Sequence, residues 1–91
     1  MRNNCIFLDG VCVSDAEEIL TSWGTALRVF LQVQGFYGPV RLALLIRDMR
    51  DPQVTKLRQG VKAFVRGFLQ EEDGEVWIEA RGIFIKEPAG L

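Results

Sequence analysis

The chain has 91 residues, 48% of them hydrophobic, enough for one compact core in a single domain spanning 1–91. It contains no histidine and two cysteines, Cys5 and Cys12, which excludes histidine-based acid–base catalysis and leaves too few ligands for a zinc site. The net charge of −1 hides a division: Arg28 to Arg66 holds eight basic residues against two acids, and the remainder holds three against ten, so folding can gather the basic centre into a patch.

Asn4 to Val13, "NCIFLDGVCV", reads as a first strand, with Gly10 marking a bulge or sharp bend inside it. Cys5 and Cys12 lie seven positions apart on it, about 23 Å in a straight strand, so no disulfide joins them. They read as two small apolar residues. The polar stretch 14–18, "SDAEE", is a turn or a short edge, and "TSWGTA" contains Gly24, a second bend signal. Trp23, just before the second strand, reads as a packing residue.

Thr25 to Val33, "TALRVFLQV", is the second strand. Its period of two puts Leu27, Val29, Leu31 and Val33 on one face and Arg28, Phe30 and Gln32 on the other. "QGFYGP", 34–39, is a loop with two glycines and a proline, residues that favour turns, and it presents Phe36 and Tyr37. Val40 to Ile46, "VRLALLI", is the third strand, with Val40, Leu42, Leu44 and Ile46 opposite Arg41, Ala43, Leu45 and Arg47. The period then changes. Asp51 is placed to cap a helix with Pro52 in its first turn; Val54 and Leu57 share one side, and Gly60 suits the residue after the end. The spacing predicts one helix of about two turns.

Val61 to Leu69 is the fourth strand, with Val61, Ala63 and Val65 facing a core and Lys62, Phe64 and Arg66 facing away. Glu75 to Ile85 is the fifth, joined to the fourth through "QEEDGE", whose Asp73-Gly74 pair is a strong hairpin signal. Residues 87–91 form a short frayed tail, leaving an ordered core of about 3–86. Three strands, a short helix and a two-stranded hairpin, with a glycine bend in the first strand, define an all-β fold: a five-stranded Greek-key OB-fold barrel with a short helix between strands three and four.

At this point the residues resemble a known family. "NNCIFLDG" is similar to the opening of bacterial single-stranded-DNA-binding proteins (SSB), "GTALRVF" to their glycine-threonine-alanine turn into strand two, "RLALLIRDM" to their third strand, and "LRQGVKAFVRGFLQ" to the segment leading into their aromatic-containing fourth strand. The likeness covers roughly residues 3–85 and rests on the order and spacing of short motifs. There are departures. The long hairpin between strands four and five shrinks to the acidic "QEEDGE". The long acidic-tipped tail is absent, and so is the tryptophan typical just before strand three. The chain therefore resembles a minimal, tail-less SSB-like protein, close to the primosomal replication protein. The resemblance implies a non-enzymatic protein with no cofactor, metal or small-molecule substrate. It implies largely sequence-independent binding of single-stranded DNA in replication, recombination or repair. It also implies a homo-oligomer, dimer or tetramer, assembled through strand one.

Single-stranded DNA offers phosphates to cations and unstacked bases to flat rings. The candidate binding residues are therefore Arg28 and Phe30 on strand two, Phe36 and Tyr37 on the loop, Arg41 and Arg47 on strand three, and Lys62, Phe64 and Arg66 on strand four. For Phe30 the alternation points outward while the family position points to the core. Phe64 meets either DNA or a neighbouring subunit. Trp77 shares a face with Glu75 and Glu79, whose carboxylates repel phosphate, so it covers the barrel or a subunit contact. Phe7, Phe68 and Phe84 are expected in the core. Glu71, Glu72, Asp73, Glu75 and Glu79 are expected to form a solvated acidic hairpin tip that keeps nucleic acid off that end. The alternative is an OB-fold protein–protein or oligomerisation module that has lost DNA binding. No run of about 18 apolar residues is present to cross a membrane, and the start lacks the features of a signal peptide, so a cytoplasmic location is expected.

Overall fold

The computed structural model describes residues 5–48, 50 and 52–86. Asn3, Asn4, the expected helix cap Asp51 and the tail 87–91 lie outside that set. Six strands follow in order: β1 (Cys5–Cys12), β2 (Glu17–Thr21), β3 (Gly24–Gly35), β4 (Gly38–Ile46), β5 (Lys62–Glu72) and β6 (Glu75–Ile85), with a 3-10 helix at Pro52–Lys56 between β4 and β5. Among the described residues no helix is long and apolar enough to cross a membrane.

Of the polar "SDAEE" stretch, 14–16 lie in a break between strands and Glu17 and Glu18 begin β2. β1 and β2 lie along the same edge of β3, with Gly10–Cys12 against Val33–Leu31 and Glu17–Thr21 against Arg28–Gly24. They act as one long bent strand interrupted at 13–16. The break is pinned to β3: the Phe30 N–H donates to Ser14 Oγ at 3.0 Å, and the Val13 N–H donates to the Phe30 carbonyl at 2.8 Å.

The strands close into a ring, β1–β5–β6–β4–β3 and back to β1. All neighbours are antiparallel except β4 and β6, which run parallel through Ala43↔Trp77, Leu44↔Ile78 and Leu45↔Glu79. At Gly10, β1 is paired on both edges, to Val33 and to Ala63. A Cβ at Gly10 would stand 2.9 Å from both the Gln32 carbonyl oxygen and Val33 Cγ1, so close backbone approach, and not a turn, requires glycine there.

Alternation fills the ring with Val29, Leu31, Leu44, Ile46, Val65, Ile78 and Ile83, all buried. Burying each such side chain contributes about 1.5–3 kcal/mol. The short helix expected between these strands is a 3-10 helix. Five residues suffice to set Val54, with Leu57 just beyond, as a stopper in one end of the core. Gly60 follows at φ +94°, the left-handed conformation that glycine adopts most easily.

β6 is not a continuous alternation. Its register against β5 passes from Arg66↔Gly82 to Gly67↔Ala80, leaving Arg81 as an extra residue. A one-residue insertion turns every later side chain to the other face. Ile78 and Ala80 point inward before it; Ile83 and Ile85 point inward after it. On the opposing strand the chains crowd, and a Cβ at Gly67 would overlap the Glu79 carbonyl oxygen.

Candidate nucleic-acid interface

The outer face of β3 and β4 is built by their unbroken pairing from Leu27↔Ile46 to Gly35↔Gly38. Phe30 stands opposite Ala43, with Val29 and Leu31 fully buried on either side of it, so it faces out and is half-buried. The Arg28 guanidinium lies 5.2 Å from the Phe30 ring centroid, and its Nη2 is 2.6 Å from Glu17 Oε1. Arg47 sits 3.6 Å above the Trp23 ring, an attractive cation–π geometry, with its Nη2 3.4 Å from Glu79 Oε1.

Glu79 departs from the expectation of a solvated hairpin residue. It is 5% exposed, held by Arg47, by Arg81 at 3.4 Å and by the Gln70 side-chain amide at 3.3 Å. A carboxylate taken from water needs such partners. Arg28 and Arg47 therefore have their charge largely answered by Glu17 and Glu79. Arg41, exposed and opposite Gln32, makes no ion pair among the described residues.

At the tip of the β3–β4 hairpin, Phe36 and Tyr37 are 92% and 97% exposed. Their rings meet edge to face at 4.8 Å. Gly38, at φ +135°, lets the chain turn beside them.

Lys62, Phe64 and Arg66 lie on another face, the outer side of β1, β5 and β6. Phe64 is flanked by Phe7 at 6.0 Å with a 21° interplanar angle, and by Phe84 at 6.5 Å with 43°. Phe7 and Phe84 are not core residues as expected; they are 59% and 64% exposed. Phe84 faces out because the extra residue Arg81 shifts the alternation. Phe7 shares its face with Cys5 and Asp9, opposite inward-facing Ile6 and Leu8. Phe68 is half-buried on the outside, 5.1 Å beneath the Arg81 guanidinium. Lys62 and Arg66 are exposed and make no ion pair among the described residues.

The nine candidate residues thus divide. Arg28, Phe30, Arg41 and Arg47 share the β3–β4 face, Phe36 and Tyr37 stand at its hairpin tip, and Lys62, Phe64 and Arg66 lie round the barrel. An open groove of about 450 Å³ joins the two regions, lined by Gln32, Gln34 and Pro39 on one side and Asp9, Lys62 and Lys86 on the other. Sequence reasoning missed Phe7 and Phe84 on the second face, and the Trp23–Arg47–Glu79–Arg81 cluster on the first.

The opposite end is acidic. Glu71, Glu72, Asp73 and Glu75 are exposed around the β5–β6 turn, where Asp73 and Gly74 adopt φ +53° and +82° as the Asp-Gly hairpin signal requires. A cavity of about 280 Å³ lies nearby between Trp23 and Trp77, with Glu72 and Glu75 in its lining. Trp77 Nε1 and Arg28 Nε are buried there without a hydrogen-bond partner among the described residues. No group of three or more metal-ligating side chains converges among the described residues.

A closed ring of five strands, with a bent first strand and a short helix before the final hairpin, is the OB-fold. The solved structures that resemble it carry the same fold. The small single-stranded DNA-binding protein of Streptomyces coelicolor matches with a TM-score of 0.78 at 18% identity, over 94% of this chain and 95% of that one. The N-terminal domain of PriB from Thermoanaerobacter tencongensis, a dimeric structure, matches with a TM-score of 0.77 at 20% identity, over 96% and 100%. The single-stranded DNA-binding protein of Thermus aquaticus matches at 0.78 and 20% identity, over 98% of this chain and 43% of that one. No protein-family model matches the chain, and no curated protein matches it. The sequence resemblance and the structural likeness therefore point to the same set of proteins, and at these identities the likeness is one of fold.

Proposed function

We propose that the protein binds single-stranded DNA, largely without regard to sequence, as one OB-fold unit in the cytoplasm, and serves replication, recombination or repair. It acts by binding and not by catalysis. The observation that carries this reading is the hairpin tip. Phe36 and Tyr37 stand almost wholly in water at the end of the β3–β4 ladder, and on the same ladder, three residue pairs from the tip, Arg41 is exposed and without an ion pair among the described residues. Exposed rings and an exposed cation on one hairpin are what bases and phosphates need, and each stacked base contributes about 1–3 kcal/mol whatever its identity. The names of the structural neighbours support the same ligand.

Assembly as a homo-oligomer is part of the proposal. Residues 5–9 of β1 pair with β5 on one edge, and pairing with β3 begins only at Gly10. The other edge of this segment has no strand partner among the described residues and can take a second copy, as unpaired strand edges do.

The test is quenching of the tyrosine and tryptophan fluorescence by oligo-dT. Binding is expected at about 50 mM salt and weakened at about 200 mM, because phosphate contacts release counterions. Absence of binding at the lower salt refutes the reading. The second reading, an OB-fold assembly module without DNA binding, is favoured by the ion-paired state of Arg28 and Arg47. It would show as a stable oligomer with no quenching at either salt.

A further inference from the structure

We propose that the bound strand runs round the barrel instead of along the β3–β4 face. It would leave the hairpin tip, cross the groove where β1 meets β3, and reach a second stacking tract made by Phe7, Phe64 and Phe84. This inference rests on the single-stranded-DNA reading above.

Charge sets the direction. Along β3 and β4 towards the β5–β6 turn, Arg28 and Arg47 are already held by carboxylates, and beyond them stand Glu71, Glu72 and Glu75. A phosphate chain taking that course moves from neutralised cations into a field of like charge. The other course meets Arg41, then the groove with its side-chain amides Gln32 and Gln34, then Lys62. Asp9 also lines the groove, but Lys86 Nζ binds both its oxygens, at 2.8 and 2.9 Å. Lys62 belongs to the groove lining and to the strand that carries Phe64, so it joins the two.

The three rings stand on adjacent strands, at 6.0 and 6.5 Å from centroid to centroid. That separation leaves no slot for a base between them. They form a pavement on which bases lie, with Lys62 and Arg66 at its borders. Arg66 is exposed, with its guanidinium over Gly82 of β6.

A second copy of this chain is the competing occupant of so apolar a face. A two-fold contact sets the same patch against itself. Any such contact would bring the Lys62 and Arg66 of both copies into one apolar interface, while Asp9, a carboxylate on this face, is already engaged by Lys86. Like charges so placed oppose association, whereas a polyanion answers them. Nucleic acid is therefore the occupant that the face fits, and open-edge pairing of β1 leaves it free.

The experiment compares oligo-dT of about 5 and about 16 nucleotides, the range one OB-fold engages, on the wild-type protein and on the Phe7→Ala/Phe84→Ala double variant. Wild-type binding of the short oligonucleotide establishes that the single-stranded-DNA reading stands. The double variant is expected to bind the short one as wild type does, and the long one roughly tenfold or more weakly. A Phe84→Trp variant, which keeps a ring, is expected to report quenching of its new indole with the long oligonucleotide and not with the short. Equal affinity of wild type and double variant for the long oligonucleotide overturns the inference. So does an oligomer that dissociates in the double variant while DNA affinity is unchanged, since that assigns the face to a second copy. A wild-type protein that binds neither length overturns the functional reading, and this inference with it.

Discussion

Replacing Gly67 by alanine places a methyl group against the backbone of β6 at its bulge. The new Cβ overlaps the Glu79 carbonyl oxygen and stands 3.0 Å from Ile78 Cγ2 and 3.1 Å from the Glu79 carbonyl carbon. Two of those neighbours are backbone atoms at the point where the β5–β6 register shifts, so they cannot retreat without unpairing the strands. Overpacking of this kind costs about 1–3 kcal/mol. The alanine recovers about 0.4–1 kcal/mol by restricting the unfolded chain. A net loss of roughly 1–2 kcal/mol in a domain of this size lowers the melting temperature by about 5–15 °C. Gly82→Ala is the matched control across the same bulge. There the nearest atoms belong to the Arg66 side chain, the closest of them at 3.6 Å, an ordinary contact that a flexible side chain accommodates. That variant is expected to match the wild type or exceed it by up to about 1 kcal/mol. Thermal melts followed by circular dichroism decide the matter. A Gly67→Ala protein melting within about 2 °C of wild type, or a Gly82→Ala protein that loses as much stability as Gly67→Ala, refutes the account of the bulge.

Three further outcomes follow from the same geometry. Phe36→Ala combined with Tyr37→Ala is expected to weaken oligo-dT binding by about 1–3 kcal/mol per base released, with an unchanged melting temperature because both rings are solvent-exposed; titration and melting of one sample measure both. Glu79→Gln releases Arg47 and Arg81 from their shared carboxylate, so the slope of log affinity against log salt is expected to steepen by about 0.7 for each additional phosphate that they neutralise; a titration series in salt reads it. Burial pushes the Cys12 thiol above its ordinary value, while Cys5 is exposed. One thiol equivalent is expected to react in the native protein and two after unfolding. Stability linked to the neutral Cys12 thiol holds below the ordinary thiol value and falls as pH rises through it towards the raised native value, and Cys12→Ala removes that alkaline slope from melts recorded against pH.

The parts of the fold that were legible in the sequence are those where pairing is uninterrupted. β3 and β4 pair without a slip from Leu27 to Gly35, so simple alternation put Val29 and Leu31 inside and Arg28, Phe30 and Gln32 outside. β6 was misread because its alternation carries a hidden extra residue. Counting by twos from Ile78 puts Phe84 inside, whereas Arg81 takes the odd place and turns Phe84 out. The register is a property of two strands together, and one strand's pattern does not contain it. Phe7 was different: its parity with Cys5 and Asp9 already pointed outward, and the usual weight given to phenylalanine as a core residue overrode it. The Trp23–Arg47 stack and the burial of Glu79 depend on the β2–β3 turn, the end of β4 and the middle of β6 coming together in space, so local pattern held no trace of them. β2 itself was faint because most of its side chains face water, and strand patterning is read from one apolar face.

The closed ring has two unequal kinds of joint. β3 pairs with β4, and β5 with β6, along nearly their whole lengths, whereas β1 meets β3 and β4 meets β6 through three residue pairs each. The barrel is thus two broad sheets, β2–β3–β4 and β1–β5–β6, fastened along two short seams. Such seams are the places where brief opening costs least, and the Val13 amide, bonded across one of them to the Phe30 carbonyl, is expected to exchange faster than that of Val65. The groove beside Gly10 lies over one of these seams. A strand of DNA crossing it would span both sheets and resist their parting, and the protein would hold its own shape more firmly with DNA in hand than without.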